Sequence, residues 1–401
     1  CLKLKKQFIL SLIIFYLSIV SCDLIDSSPI EDNSTLDGPI EGLSLVENSQ
    51  FVRGDSFFNE KIFTSTNGLG PIFSANSCSS CHFSDGKGHL FNGFFRFGQS
   101  DESGNKYLDQ GGPQLQDRAL PGYKPETMPK GATYSKLLAP SVTGLGLLEY
   151  VSDETLLMLA DEYDRDGDGI SGRPNWIKKP EYSKIRPNQI EKNGLYIGRF
   201  GKKASAFDLL HQVAMAYNQD MGITSIFEPI DTYSNREIDP EISTTELMDV
   251  VFYTKTLKAP KRRNPLEAEV LKGEKIFSKI KCSSCHTPKL MTGYSPIEAL
   301  SYKEFYPYTD LLLHDMGDKL DDGYTEGNAT TSEWRTPPLW GLGLSKKSQG
   351  GQYFLLHDGR ANTIEEAIIY HGGEAQNSKL MYNLQIGRAH AELQSPYDLV
   401  C

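Results

Sequence analysis

Apolar residues recur at helical spacing in several stretches of the chain. The clearest stretch is 266–281, whose apolar positions share one face: Val270, Leu271, Ile276, Phe277 and Ile280. Similar patterns predict helices near residues 46–60, 153–163, 205–218, 243–257, 266–281 and 363–371. Loops rich in Gly, Pro and Asp separate them, and no stretch shows the apolar–polar alternation of a half-exposed strand. The pattern therefore predicts a mainly α fold with long irregular loops.

The first 22 residues have the parts of a bacterial export signal. Three lysines lie within the first six residues, and the apolar core 8–20 that follows is shorter than a membrane span. The core ends at a lipobox-like Val-Ser-Cys, in which Cys22 would become the lipidated first residue of the mature protein. An uncleaved membrane anchor is the alternative. We interpret 1–22 as a lipoprotein signal peptide and the polar, Pro/Gly/Ser-rich 23–45 as a flexible tether.

The opposite end of the chain is unlike the rest. Residues 386–401 match the translation of a common sequencing adapter, so we interpret them as a non-native tail. Cys1, His390 and Cys401 are accordingly left out of the functional argument. The natural chain is expected to continue past Asn383 into a final helix.

Four of the remaining cysteines lie in two identical pentads with the sequence CSSCH. The pentads consist of Cys78, Cys81 and His82, and of Cys282, Cys285 and His286, each with two serines between the cysteines. C-x-x-C-H is the attachment signature of haem c: two thiols three residues apart reach the vinyl groups of one porphyrin, and the His supplies the proximal nitrogen to iron. A zinc ribbon does not require a His after each pair, and a thioredoxin-type pair does not require duplication. The sequence therefore predicts two covalently attached haem c groups.

The duplication extends beyond the pentads. Gly273 and Phe277 form a G-x-x-x-F motif in the helix before the second pentad, and Gly54 and Phe58 repeat it before the first. This motif resembles the first helix of cytochrome c domains, where a small residue permits a close helix crossing. We therefore predict two cytochrome c-like domains with long loop insertions, the first at 46–260 and the second at 265–385, joined by a basic, Pro-containing linker.

An acidic loop inside the predicted first domain has the spacing of half an EF-hand. Asp164, Asp166 and Asp168 occupy positions 1, 3 and 5, and a glycine follows at position 6. The carbonyl of Ile170 would be a fourth ligand. Position 12 is Asn175 instead of the bidentate Glu, so a complete EF-hand is not predicted. A loop stabilised by one calcium ion is expected, with a solvated Asp/Gly turn as the alternative.

Seven segments between residues 45 and 375 resemble the di-haem oxidoreductases, a family assigned to bacterial peroxidases and often labelled "thiol oxidoreductase". They are GLGPIFSANSCSSCHFSDGKG, PSVTGLGLLE, DRDGDGISGRPN, DMGITS, YTDLLLHDMG, WRTPPLWGLG and FLLHDGRANTIEEAIIYHGGEA. The last two also resemble the segment after the second haem motif of bacterial di-haem cytochrome c peroxidases. The resemblance implies an enzyme in which one haem accepts electrons and the other meets the substrate.

The resemblance also suggests a distal ligand for the second haem. In the related peroxidases a Met lies fourteen residues after the HDG histidine, and here that count from His357 reaches His371. His371 follows a predicted helix and precedes two glycines that end it, so it is our candidate distal ligand; a packing or hydrogen-bonding role is the alternative. A His/His haem has a lower potential than a His/Met haem, which places peroxidase activity in question.

Other side chains are candidates for the two haem pockets. His357 is expected to hold a loop or a propionate, and Arg335 is the expected propionate partner because its planar fork matches a carboxylate. The remaining candidates have a packing role as the alternative: His89, His314, Met221 and Trp340. Met221 is a candidate distal ligand of the first haem, which otherwise has none assigned.

The composition of the chain limits the kinds of partner that we expect it to bind. The formal net charge of −11 gives no general attraction to nucleic acid. After haem and lipid attachment no cysteine is left to act as a redox thiol. We expect a cell-envelope protein, facing the periplasm or on the surface, that touches the membrane only through its lipid. Its expected partners are a small redox protein or quinol-linked electron donor and a small oxidant such as peroxide. The alternative is a non-catalytic electron carrier with both haems bis-ligated; oxidation of another molecule is a third possibility.

Overall fold

The computed structural model describes residues 38–389 except 99, 102, 103, 106, 108, 109 and 111. The predicted signal peptide, Cys22 and most of the tether lie outside the described residues, as do residues 390–401. Residues 36–401 group into one unit by their contacts, so the predicted boundary near residue 260 stays a prediction.

About one third of the chain is helical. In the described part the α-helices are α1 (Leu45–Asn59), α2 (Cys78–Cys81), α3 (Leu145–Glu149), α4 (Asp153–Leu159), α5 (Leu209–Met215), α6 (Thr244–Thr256), α7 (Ala268–Lys279), α8 (Ser345–Ser348), α9 (Ile364–Tyr370) and α10 (Gln376–Ala389). A π-helical turn, Ala216–Asp220, continues α5. All six predicted helices are present. The helix α10, which begins at Gln376, was not among the predicted helices.

Polar caps explain where the longer helices begin. At five of them the side-chain oxygen of the capping residue accepts a hydrogen bond from the backbone N–H three residues later: Ser44, Ser152, Asp208, Ser243 and Thr363. Ser44 forms a complete capping box with Glu47. These caps satisfy N–H groups that have no partner within the helix, so they set the start of each helix.

Short strands that the sequence pattern does not reveal accompany the helices. The structure contains short antiparallel two-stranded ribbons: Ile72–Phe73 with Arg118–Ala119, Phe94–Phe97 with Tyr134–Leu137, Ser100–Asp101 with Gly104–Asn105, Trp176–Ile177 with Tyr196–Ile197, Ile230–Asp231 with Arg236–Glu237, Leu290–Met291 with Glu304–Phe305, and Leu313–Asp315 with Glu333–Arg335. Most strands are two residues long, too short to show alternation. The ribbons pin the long loops together, and several of these loops line the site described below.

The G-x-x-x-F motif of α1 lies at a close helix crossing. A Cβ on Gly54 would lie 2.1 Å from the carbonyl oxygen of Asp249 and 2.6 Å from Cβ of Tyr253, both on α6. Phe58, one turn later, is buried and packs on Tyr253 with ring centroids 5.3 Å apart. In α7 the corresponding Gly273 and Phe277 are also buried. Each pentad is therefore preceded by a helix with a buried Gly and Phe one turn apart.

None of the helices that the structure describes between residues 38 and 389 is long and apolar enough to cross a bilayer.

Candidate cofactor-binding site

Both pentads open onto one cavity. Its volume is about 700 Å³, and residues of both CSSCH motifs line it together with apolar side chains such as Phe58, Val213 and Leu355. Cavities that hold cofactors are typically of this size and mostly apolar, with a few charged groups that orient the ligand. Segments about 200 residues apart in sequence thus contribute to one cavity.

The thiols of the first pentad form no disulfide and are partly buried. Cys78 and Cys81 lie one helical turn apart on α2, and neither forms a disulfide. Burial raises the pKa of Cys78 to about 12 and that of Cys81 to about 11. A redox-active thiol needs a lowered pKa, because the thiolate is the nucleophile. These cysteines therefore lack the electrostatics of a thiol–disulfide centre, although they lie where a covalent ligand could reach them.

His82 follows α2 and faces the cavity. Its Nδ1 has no hydrogen-bond partner, and burial lowers its pKa to about 4, which the carbonyl of Pro140 only partly offsets. The ring centroid lies 5.7 Å from that of Phe58. The imidazole is therefore neutral at ordinary pH, which is the form that binds iron.

His286 is held more firmly. Its Nδ1 lies 3.0 Å from the carbonyl oxygen of Tyr308, which leaves Nε2 without that constraint. Tyr308 has a φ of 56°, so an unusual backbone conformation presents this carbonyl. Burial lowers the pKa of His286 to about 4. A metal-binding His usually donates its second N–H to a carbonyl in this way, because the bond fixes the ring and its tautomer.

His371 caps the end of α9 and lines the same cavity. Its Nδ1 lies 2.7 Å from the carbonyl oxygen of Ala367, and burial lowers its pKa. Its charge would lower the pKa of His286, and both imidazoles line the same cavity. The second of the two glycines that follow, Gly373, has a φ of 49°, and a Cβ there would lie 2.3 Å from the carbonyl oxygen of Asp315. The Gly-Gly pair thus permits the sharp turn after His371.

The basic side chains that line the cavity include Lys87, Lys202 and Arg335; Arg118, Lys281 and Lys379 line it as well. Burial lowers the pKa of Lys87 to about 7 and that of Arg335 to about 10, and it holds the pKa of Lys202 well below its usual value. Buried cations are costly unless an anion accompanies them. A porphyrin with propionate groups has the apolar body and the negative charge that this cavity fits.

Comparison with known proteins agrees with this geometry. A family model described as "Di-haem oxidoreductase, putative peroxidase" matches residues 135–392, well over half of the chain. The chain belongs to this di-haem oxidoreductase family. Among solved structures, a Kuenenia stuttgartiensis hydrazine synthase, determined under 20 bar xenon, aligns at 14% identity and a TM-score of 0.33, over 87% of this chain and 90% of that one. No protein with a curated description matches.

In this di-haem oxidoreductase His314 has both ring nitrogens engaged. Its Nδ1 lies 2.7 Å from Glu374 Oε2 and its Nε2 lies 2.8 Å from Asp310 Oδ2, while Cys285 Sγ lies 3.4 Å from Nδ1. Despite the desolvation of the buried ring, the two carboxylates raise its pKa well above the usual value. His314 is thus a buried cation beside the second pentad, and neither nitrogen is available to iron.

His357 holds a loop, as one of its two predicted roles requires. Its Nε2 lies 2.7 Å from Asp322 Oδ2, and its ring stacks on Trp334 with centroids 3.7 Å apart. Asp322 also accepts a hydrogen bond from Arg360. His357 lines the cavity, but this network ties its ring to the loop.

The remaining predicted candidates separate into two groups. Met221 and Trp340 line the cavity. His89 does not; it stacks on Phe91 with ring centroids 4.7 Å apart, and its Nδ1 accepts a hydrogen bond from the Phe91 N–H. His89 therefore lies beside the cavity wall.

Sequence reasoning missed Lys87, Lys202 and a cavity-lining acid, Asp220. Asp220 ends the π turn after α5, and Gln114 donates a hydrogen bond to its Oδ1. Burial raises the pKa of Asp220 to about 6, and its charge acts on both thiols of the first pentad. A carboxyl group near neutrality can give and take protons at physiological pH. No spacing motif marks these residues, so only the folded chain reveals them.

The acidic loop differs from the predicted ligand set. Carboxylate oxygens of Asp161, Asp164 and Asp166 lie within 4.8 Å of one another, and Asp161 was not predicted. Asp168 instead pairs with Lys281, the residue before the second pentad, at 3.3 Å. Ile170 is buried and lines the cavity. The loop therefore brings three carboxylates together, and through Asp168 it forms an ion pair with Lys281, the residue before the second pentad.

The same loop reaches the second pentad by another path. Ser171 donates to Glu374 through both its N–H and its Oγ, at 3.0 and 2.6 Å, and the N–H of Gly172 donates to the same carboxylate. Glu374 in turn holds His314 beside Cys285. A loop expected to stabilise the first domain thus stabilises, through Glu374 and His314, the surroundings of the second pentad.

Proposed function

We propose that this di-haem oxidoreductase carries both haems as covalently attached haem c and acts as a peroxidase-type enzyme at the cell envelope. The two identical pentads, their unpaired thiols and the shared cavity support the attachment. His82 and His286 would be the proximal ligands. The high thiol pKa values argue against thiol–disulfide chemistry.

The observation that carries the enzyme proposal is an asymmetry between the two sites. A second imidazole with a lowered pKa, His371, lines the cavity with His286, and its charge would act on His286. Near the first pentad the cavity wall offers Asp220 and Met221, whereas His314 has both ring nitrogens bound to carboxylates and His357 is held by Asp322 through Nε2. One six-coordinate haem and one open haem would suit electron entry and substrate binding respectively, because access to the distal side decides between activation and electron transfer.

The chain's own residues have defined tasks in this proposal. Haem iron supplies the redox chemistry when bound. Gln114 fixes one oxygen of Asp220, and the pKa of about 6 lets this carboxyl group hold a proton or release it into the cavity near the first pentad. Apolar neighbours such as Tyr217 and Met221 exclude water, which preserves that pKa.

The second candidate function is an electron carrier without catalysis. Met221 favours it, because this thioether is 3% exposed, lines the cavity and could complete a six-coordinate first haem. An electron carrier would need neither an open coordination position on iron nor the carboxyl group of Asp220.

The spin state of iron separates the two functions. An enzyme should show one high-spin and one low-spin ferric haem by electron paramagnetic resonance, in the resting or half-reduced protein. Peroxide should then convert the high-spin signal, and Asp220→Asn should slow this conversion by about 10²-fold, the usual contribution of a general acid–base. Two low-spin haems whose spectra do not change on addition of peroxide in any redox state would identify the protein as an electron carrier instead.

Partners and location complete the proposal. The electron donor is a small redox protein or a quinol-linked donor, and the oxidant is a small molecule such as peroxide. The protein is exported and held at the membrane by lipid on Cys22.

We also propose that the acidic loop binds one calcium ion, with Asp161 joining Asp164 and Asp166. The geometry supports a hard-cation site because three carboxylates converge there. Calcium bound only to the folded state stabilises it by about 2.7 kcal/mol at a hundredfold excess over Kd. Chelator should therefore lower the melting temperature of the wild type.

The double variant Asp164→Asn/Asp166→Asn should melt at the chelated wild-type temperature and ignore chelator. Asp168→Asn is the matched control: it removes the contact with Lys281, so it should keep the response to chelator. If the double variant responds to chelator like the wild type, calcium binds elsewhere or not at all.

A further inference from the structure

Three of the basic residues that line the cavity, Lys87, Lys202 and Arg335, connect the surroundings of the two pentads. Lys87 follows the first pentad by five residues, and its Nζ donates to the carbonyl oxygen of Leu356 at 3.0 Å. The charge of Lys202 acts on His82 and is repelled by those of Lys87 and Arg335. Arg335 in turn feels Asp310, which holds His314 beside Cys285. Lys202 is therefore the residue whose charge acts on His82 and meets both other cations, and its carbonyl oxygen accepts a hydrogen bond from the Arg335 N–H at 2.9 Å.

The nearby carboxylates do not neutralise these cations. Asp358 acts on Lys87 and Lys202, yet Arg360 already holds it through an Nε contact of 2.6 Å. Asp310 acts on Arg335, yet it already holds His314. No described residue accepts a hydrogen bond from Lys202 Nζ. No described carboxylate forms an ion pair with Lys87, Lys202 or Arg335, so an anion bound in the cavity would be needed to stabilise their charged forms.

Lys202 differs from its sequence neighbour. Lys203 Nζ donates to the carbonyl oxygens of Thr330, Thr331 and Glu333 and lies 3.9 Å from the centroid of the Trp334 ring. That lysine is fully satisfied by the protein and does not line the cavity. Lys202 lines the cavity and has no comparable set of acceptors, as expected of a side chain that awaits a ligand.

We propose that Lys202 binds propionate carboxylates of both haems, with Lys87 assisting at the first haem and Arg335 at the second. This inference rests on the proposed function, since it requires two haems in the cavity. The four propionates of two haems would supply the negative charge that no described side chain provides for these three basic residues. The two haems would then share one counter-ion, so a substitution at Lys202 would change the midpoint potentials of both haems.

Midpoint potentials test the sharing. A cation near a haem stabilises the reduced form, which carries one positive charge fewer, so removing the cation lowers the potential. In the fully loaded protein Lys202→Met should lower the potentials of both haems. Lys87→Met should lower mainly the first, and Arg335→Met should lower mainly the second. Single-haem proteins made by Cys78→Ala/Cys81→Ala or Cys282→Ala/Cys285→Ala assign each potential to its haem.

Three controls make the outcome decisive. Lys202→Arg should restore both potentials, and Lys289→Met, which removes an exposed lysine paired with Glu304, should change neither. A free carboxylate could occupy the cations instead, so wild-type potentials are also measured with and without acetate at constant ionic strength. Potentials that follow acetate would assign the cluster to a free anion and overturn the proposal.

Haem content, measured on the same samples as the pyridine haemochrome, separates the two levels of inference. Two haems per chain with only one potential lowered in Lys202→Met, or with neither lowered, would defeat the shared counter-ion alone. Fewer than two haems in the wild type would defeat the proposed function itself. If Lys202→Met does not fold, Lys202→Gln takes its place, with the same pattern expected.

Discussion

Replacing Cys78 and Cys81 together with Ala should remove one of two covalently bound haems and leave the other in place. Each thioether needs one cysteine, and the two thiols lie one turn apart on a four-residue helix that opens onto the cavity. Without the haem the cavity loses much of its packing and the cations lose their partners. We therefore expect a clearly lower melting temperature as well as half the haem content.

The measurement is haem absorbance retained by protein denatured and freed of unbound haem. Cys282→Ala/Cys285→Ala should give the reciprocal result. Ser80→Ala, inside the first pentad but without a thiol, should retain both haems; it loses only the hydrogen bond from its Oγ to the Ser77 carbonyl oxygen and a weak contact with Cys81 Sγ. Two haems retained after loss of both first-pentad thiols would show that the pentad does not attach haem.

Replacing His371 with Ala should turn a low-spin haem into a high-spin one. The imidazole lines the same cavity as His286, its Nδ1 is engaged by Ala367, and its pKa is lowered by burial, so a neutral Nε2 remains for iron. Loss of that nitrogen opens one coordination position. His371→Met should instead keep the haem six-coordinate and raise its midpoint potential, because a thioether favours ferrous iron more than imidazole does.

Paramagnetic resonance and magnetic circular dichroism distinguish these states. His357→Ala is the matched control, since that ring also lines the cavity but is held by Asp322 and Trp334. It should loosen the loop without altering the ligands. An unchanged low-spin spectrum in His371→Ala would remove His371 from the coordination sphere. His314 would then be a poor replacement, because both of its nitrogens are bound to carboxylates.

The parts of the fold that local chemistry determines were predictable. Helices such as α1 and α6 begin at serine caps and carry apolar residues at helical spacing, so the sequence locates them within a few residues. The ribbons were not predictable, because a two-residue pairing such as Ile72–Phe73 leaves no periodic trace. They depend on where distant loops meet.

The same division holds for the site. The pentads could be found by spacing alone, because attachment chemistry imposes a fixed interval, whereas the resemblance to related peroxidases drew attention to His371. Lys202 and Asp220 have no such interval: one follows a glycine in a loop and the other ends a π turn. Asp161 escaped detection because it precedes the EF-hand register that drew attention to Asp164. Tertiary packing gives these three residues their surroundings, and a linear pattern does not record it.

The contacts of Glu374 bear on how this chain could be taken apart or recombined. The second pentad resembles a self-contained unit, yet the carboxylate that steadies its neighbour His314 receives hydrogen bonds from Ser171 and Gly172, about 200 residues upstream. A fragment that starts at residue 265 would lack these donors. The second half is therefore not a transferable module: swapping it between relatives would require the 161–172 loop to travel with it, and substitutions in the two segments should be inherited together.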